Sequence, residues 1–142
     1  MRKKQILLCD DEVVICESIK ICFENEFRQV DCAYDGEDGL RMALAKDYDA
    51  IITDYSMPKM DGLSFLRALR KQENYTTAIL FSGHLDFISE EIENELGISY
   101  VIEKPIDDIN ELDQVLDIIT CQPKAREILH HLRTGEPLRR FG

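Results

Sequence analysis

Ile6-Leu7-Leu8-Cys9-Asp10-Asp11-Glu12 is four apolar residues followed at once by three acids. A strand with one wet face alternates apolar and polar residues, whereas a continuous short apolar run fits a strand covered on both faces, as in a parallel sheet. Immediately downstream, Ile15, Ile19, Cys22 and Phe23 fall at i, i+4, i+7 and i+8, the spacing of an amphipathic helix. The unit therefore reads as strand, acidic turn, helix.

The same rhythm continues along the chain. Ala50-Ile51-Ile52-Thr53, Ala78-Ile79-Leu80-Phe81 and Tyr100-Val101-Ile102 read as further strands, and Val30–Tyr34 as a more polar edge strand. Helical spacing joins Leu40, Ala43 and Leu44; Leu63, Leu66 and Leu69; Ile88, Ile92 and Leu96, ended by Gly97; and Leu112, Val115, Leu116 and Ile119. Five βα units predict an α/β fold, a doubly wound five-stranded parallel sheet with helices on both faces. Their size favours the flavodoxin-like order 2-1-3-4-5.

Composition narrows the function classes. The 142 residues are 44% hydrophobic, enough for one domain with a real core. No apolar run exceeds four residues, which excludes a transmembrane helix and a secretory leader behind Arg2-Lys3-Lys4, so a cytoplasmic protein is expected. Five cysteines form no C-x-x-C pair, and Cys9, Cys16 and Cys22 sit in apolar patterns, which predicts buried reduced thiols. The three histidines lack metal-ligand spacing. Residues 1–120 carry 12 Lys+Arg against 26 Asp+Glu, a balance of −14, and residues 121–142 carry five basic against two acidic, a balance of +3. An acidic body argues against direct nucleic-acid binding.

In doubly wound sheets, ligands bind beyond the carboxyl ends of the strands. Asp10, Asp54, Ser82 and Lys104 each lie four positions beyond the first apolar residue of their strand (Ile6, Ala50, Ala78 and Tyr100). With Asp11, three carboxylates, a hydroxyl and an ammonium converge on one rim. Two carboxylates about 4 Å apart repel by roughly 4 kcal/mol at an effective dielectric of 20. Such a cluster calls for a cation, and oxygen donors without His or Cys select a hard one, Mg²⁺, which takes one or two carboxylates plus a phosphate. A carboxylate can itself accept a phosphoryl group as an acyl phosphate, and Asp54 is the central candidate. Taken singly, these residues also have plain readings as helix caps and turn residues.

The set resembles the receiver domains of two-component response regulators over residues 5 to about 120. Asp10-Asp11 resembles the acidic pair that ends their first strand. Asp54-Tyr55-Ser56-Met57-Pro58-Lys59-Met60-Asp61-Gly62 resembles their phosphoacceptor signature D-x-x-M-P-x-M-D-G, the most specific of these signals. Ser82-Gly83 is similar to their hydroxyl switch element and Lys104-Pro105 to their K-P pair. The resemblance implies that Asp54 accepts a phosphoryl group from a histidine kinase or phosphotransfer protein. It implies Mg²⁺ held by Asp11, Asp54 and the Ser56 backbone carbonyl, with Asp10 acting through water. Lys104, after a cis bond to Pro105, would contact a phosphoryl oxygen, and Ser82 would swing to hydrogen-bond it.

One departure is Val101, which stands where many receivers carry Tyr or Phe, three residues before the lysine; Tyr100 is expected to face the other side of the strand. The usual aromatic coupling is therefore not implied for this chain.

Rival readings fit less well. A haloacid-dehalogenase-like phosphatase places a second Asp two residues after its nucleophile, where this chain has Ser56, and no cap domain fits the length. A receiver-like module that is never phosphorylated would have no need of all five site residues. The 22 residues after Thr120 are too few for a helix-turn-helix, so the chain reads either as a stand-alone receiver or as a fragment of a regulator whose output domain lies elsewhere.

Residues 1–120 are expected to form the receiver and 121–142 a basic tail or linker. Around Ala125, Ile128, Leu129 and Leu132 the tail predicts a short helix over 124–133, packed on this domain, a second copy or an output domain. The acids Asp86, Glu90, Glu91, Glu93 and Glu95 predict an acidic face on helix 4 suited to a basic partner or a homodimer. Ser56 and His84 are expected to flank the phosphoryl group and tune its hydrolysis.

Overall fold

The computed structural model describes residues 2–83, 88–105 and 109–121. His84, Asp86 and the tail from 122 onward, on which several of the expectations above rest, lie outside the described residues. The elements run β1 (Lys4–Cys9), α1 (Val13–Phe23), β2 (Arg28–Ala33), α2 (Gly36–Ala45), β3 (Ala50–Asp54), α3 (Gly62–Lys71), β4 (Ala78–Ser82), α4 (Glu90–Leu96), β5 (Ile98–Glu103) and α5 (Ile109–Cys121). All strand pairs are parallel and the order is β2-β1-β3-β4-β5, the one that the size of the five units favours.

Strand alternation divides the core into two layers. Ile6, Leu8, Ile52, Ile79, Phe81 and Ile102 face α1 and α5, meeting Cys16, Ile19, Phe23, Leu112, Val115, Leu116 and Ile119. Leu7, Cys9, Ile51, Leu80 and Val101 face the other way, toward Ala43, Phe65, Leu66, Leu69 and Leu96 of α2, α3 and α4. β3 and β4 are buried along their whole length and β1 from Ile6 to Cys9, which is why strands 1, 3 and 4 read as unbroken apolar runs. Tyr100 and Val101 lie in opposite layers as expected, and the Tyr100 hydroxyl donates to Glu111 Oε1 at 2.8 Å.

Three expectations about helix faces need correction. Cys22 is exposed, because the buried stripe of α1 is Cys16-Ile19-Phe23 and Cys22 stands off its edge. Leu44 is 48% exposed, since α2 turns its small residues Gly36, Gly39 and Ala43 inward. Glu93 is buried, as it falls beside Ile92 and Leu96 on the inward side of α4, so the acidic face there consists of Glu90, Glu91 and Glu95.

The edge strand is fastened by charge. Arg28 is buried over the Phe23 ring, and its guanidinium donates to Asp113 at 3.0 Å and Asp117 at 2.8 Å, joining β2 to α5. At α3, the Asp61 side chain caps the helix by accepting from the Ser64 N–H at 2.7 Å. Gly62, next in line, donates its N–H to the Tyr55 carbonyl at 2.7 Å, and a Cβ at position 62 would collide with the Asp54 carbonyl oxygen. Gly62→Ala is therefore expected to destabilise the fold by about 1–3 kcal/mol by overpacking against backbone. Urea denaturation measures this; an unchanged midpoint would mean that the β3–α3 turn relaxes freely.

Candidate functional site

Parallel register brings the strand ends level. Cys9 pairs with Thr53, Asp54 with Phe81, and Ser82 with Glu103. The residues at or just beyond these positions, Asp10, Asp54, Ser82 and Lys104, therefore share one rim, and the backbone N–H of Lys104 donates to the Ser82 carbonyl at 2.9 Å.

Asp10 is fully buried and held on every side. Its N–H donates to the Ala33 carbonyl at 3.0 Å and its carbonyl accepts from Cys16 Sγ at 3.2 Å. Its Oδ1 accepts from the Glu12 N–H at 2.9 Å, folding the turn into α1. The capping role open to the acidic turn is thus taken by this Asx-type contact, while Glu12 at the N-cap makes no side-chain cap. That leaves Asp10 Oδ2 for the site. Lys104 Nζ lies 2.9 Å from it and 3.0 Å from Asp54 Oδ2, one ammonium bridging two buried carboxylates. Asp11 is exposed, yet one carboxylate oxygen each from Asp10, Asp11 and Asp54 lie within 4.8 Å of one another. Three hard oxygen donors with no nitrogen or sulfur among them fit a hard divalent cation such as Mg²⁺.

Electrostatics single out Asp54. Burial raises its pKa above the usual carboxylate range, helped by the neighbouring Asp10 and opposed by Lys104 and the Ser56 N–H. Burial works to lower the pKa of Lys104, but the two carboxylates outweigh it and hold the ammonium charged. A carboxyl raised in the folded state binds a proton that the unfolded chain has already released. Stability therefore falls as pH rises from the unfolded value, about 3.9, through the higher folded one. In chelator, Asp54→Asn should melt above the wild type at pH near 8, with the gap closing toward pH 4. Thermal melts at both pH values check this; a gap that widens on acidification would reverse the sign.

The structure brings together Asp10, Asp11, Asp54 and Lys104 as the sequence predicted, with Ser82 buried at the same rim and Ser56 exposed two residues beyond Asp54. The Lys104–Pro105 bond is cis. Sequence reasoning missed the Cys16 thiol on the Asp10 carbonyl and the role of Gly62 behind Asp54. Gly62 at least stood inside the nine-residue signature, whereas no spacing rule marks Cys16. Val101, in the layer of α4, leaves no aromatic side chain at that strand position.

Comparison with known proteins places this arrangement. The family described as "Response regulator receiver domain" matches residues 6–117. The response regulator ArlR of Staphylococcus aureus is 32% identical over 120 residues, which make up 84% of this chain and 54% of ArlR; the chain thus spans about half the length of the curated relatives it matches. Among solved structures, the receiver domain of Francisella response regulator 1452 is 32% identical with a TM-score of 0.73, covering 83% of this chain and 97% of that one. The response regulator TrrA of Thermotoga maritima, solved in complex with Mg²⁺ and BeF, is 27% identical with a TM-score of 0.72, covering 82% and 98%. Among the described residues, no helix is long and apolar enough to cross a membrane.

Proposed function

The chain belongs to the response regulator receiver-domain family, and from that premise we propose that it is a phosphorylation-operated signalling switch with Asp54 as its phosphoacceptor. The observation that carries this reading is the Lys104 ammonium set between Asp10 and Asp54, with a third carboxylate, Asp11, within reach. Residues 1–120 would form the receiver and 121–142 a basic tail or linker. The module is a switch and not an enzyme acting on a separate substrate, although it would assist its own phosphorylation and dephosphorylation.

In this reading the Asp54 carboxylate attacks the phosphorus of a phosphohistidine on a sensor kinase or phosphotransfer protein. A P–O bond forms as the P–N bond breaks, and the histidine takes up a proton. Asp11, Asp54 and the Ser56 carbonyl would hold Mg²⁺ directly, and Asp10 through a water. When bound there, Mg²⁺ supplies divalent charge against the carboxylates and the phosphoryl oxygens. The same ion in complex with TrrA supports the assignment. Lys104, 3.0 Å from Asp54 Oδ2, is placed to follow an oxygen of the incoming group. The Ser82 hydroxyl would be its second hydrogen-bond donor. Two charge-assisted hydrogen bonds at roughly 1.5–3 kcal/mol each approach the 5.5 kcal/mol or so that moves an equilibrium from 1:99 to 99:1. The shifted surface would then be read by a target protein, an output domain or a second copy.

The test is uptake of one phosphoryl mass from a small phosphodonor, with Mg²⁺ and with excess chelator. Transfer is expected only with the metal, and equal labelling in chelator would sink the assignment. Asp11→Ala should weaken Mg²⁺ binding about 10-fold or more, and Asp10→Ala less, because Asp10 Oδ2 is already engaged by Lys104. Metal titration followed by tyrosine fluorescence checks the order of the two effects.

A further inference from the structure

Cys16 and Cys32 stand beside the acidic rim and take no part in phosphoryl transfer. Cys16 is fully buried on α1, and Cys32 is half-buried on the edge strand β2, packed against the layer that holds Cys16. Cys32 Sγ lies 3.8 Å from the Cys16 carbonyl oxygen, so the strand cysteine abuts the helix residue that carries the second thiol. Both residues also touch the backbone that holds Asp10. The Asp10 carbonyl accepts from Cys16 Sγ, and the Asp10 N–H donates to the carbonyl of Ala33, the neighbour of Cys32.

We propose that Cys16 and Cys32 form a disulfide on exposure to a peroxide, and that this bond slows phosphoryl uptake at Asp54 by altering the backbone support of Asp10. The first half stands on the placement of the two cysteines; the second rests on the reading of Asp54 as phosphoacceptor. Cys32, the more accessible sulfur, attacks one oxygen of hydrogen peroxide. The O–O bond breaks, the departing hydroxide takes the thiol proton as water, and Cys32 becomes a sulfenic acid. Cys16 Sγ then attacks the Cys32 sulfur. The S–O bond breaks, and hydroxide leaves with the Cys16 proton as a second water. Two electrons pass from the sulfurs to the peroxide oxygens: two thiols and one peroxide yield one disulfide and two waters. Cys32 is the half-buried member of the pair and Cys16 the buried one, so peroxide reaches Cys32 first.

Formation of the disulfide removes the S–H that Cys16 gives to the Asp10 carbonyl. The loss of one such bond at the end of β1 corresponds to a slowing of phosphoryl uptake of about fivefold. The geometry also separates this pair from the other described cysteines: Cys9 is buried in the opposite layer, and Cys22 is exposed on α1.

The whole chain carrying Cys22→Ser is treated with hydrogen peroxide, and half is then reduced with dithiothreitol. Non-reducing peptide mass mapping is expected to find a Cys16–Cys32 cross-link lighter by two hydrogens, absent after reduction and absent in Cys32→Ser. The oxidised form should take up phosphoryl about fivefold more slowly, reduction should restore the rate, and Cys32→Ser should not respond to peroxide. Cys16 and Cys32 remaining uncross-linked would overturn the proposal. A cross-link with unchanged uptake would overturn its second half. Should the reduced protein take up no phosphoryl at all, the reading of Asp54 fails while the mapping still decides the disulfide.

Discussion

Asp54→Asn will take up no phosphoryl group under conditions in which the wild type gains one. The substitution keeps the size and planarity of the side chain in a buried position at the end of β3, so the fold should survive. What it removes is the nucleophile: an amide oxygen forms no stable acyl phosphate. The effect is complete loss, read as intact mass after incubation with a small phosphodonor and Mg²⁺. Asp10 and Asp11 remain in the variant as the alternative acceptors, so the experiment separates the three carboxylates. Labelling that persists at the wild-type level would move the acceptor to another residue and remove the basis of the proposed switch.

Lys104→Ala carries the second largest expectation, in two readouts. The ammonium is the only cation found among the described residues within salt-bridge distance of Asp10 and Asp54. Without it, a fully buried carboxylate and a nearly buried one face each other uncompensated. Breaking a buried pair costs about 3–5 kcal/mol, and the partial exposure of the Lys104 side chain reduces this to roughly 1–3 in metal-free buffer. Added Mg²⁺ should recover part of it by mass action. Phosphoryl uptake should fall about 10- to 150-fold, the rate equivalent of one charge-assisted hydrogen bond of roughly 1.5–3 kcal/mol. Lys104→Arg should not restore the rate, because a planar fork does not occupy the place of a point-like ammonium. Denaturant midpoints with and without Mg²⁺, together with initial rates, check both. An unaltered rate would assign Lys104 to charge compensation alone.

The sequence by itself determined the number and type of the elements and the residues of the rim. Those properties are local. An unbroken apolar run such as Ile6–Cys9 records burial on both faces, and the residue that ends it is delivered to the sheet's carboxyl edge wherever the strand lies. Asp10, Asp54, Ser82 and Lys104 are therefore legible in the sequence. Tertiary structure decided what helical periodicity leaves open. A stripe of spaced apolar residues shows that a helix has an inner face, but the edge of that face depends on what covers it. Cys22 and Leu44 consequently turned outward and Glu93 inward. It also decided every contact between residues remote in the chain. Lys104 and Asp10 stand 94 positions apart, Arg28 and Asp117 stand 89 apart, and Cys32 meets Cys16 across a helix–strand packing. No local spacing encodes such pairs, because their meeting depends on parallel crossovers that set strand order and register together.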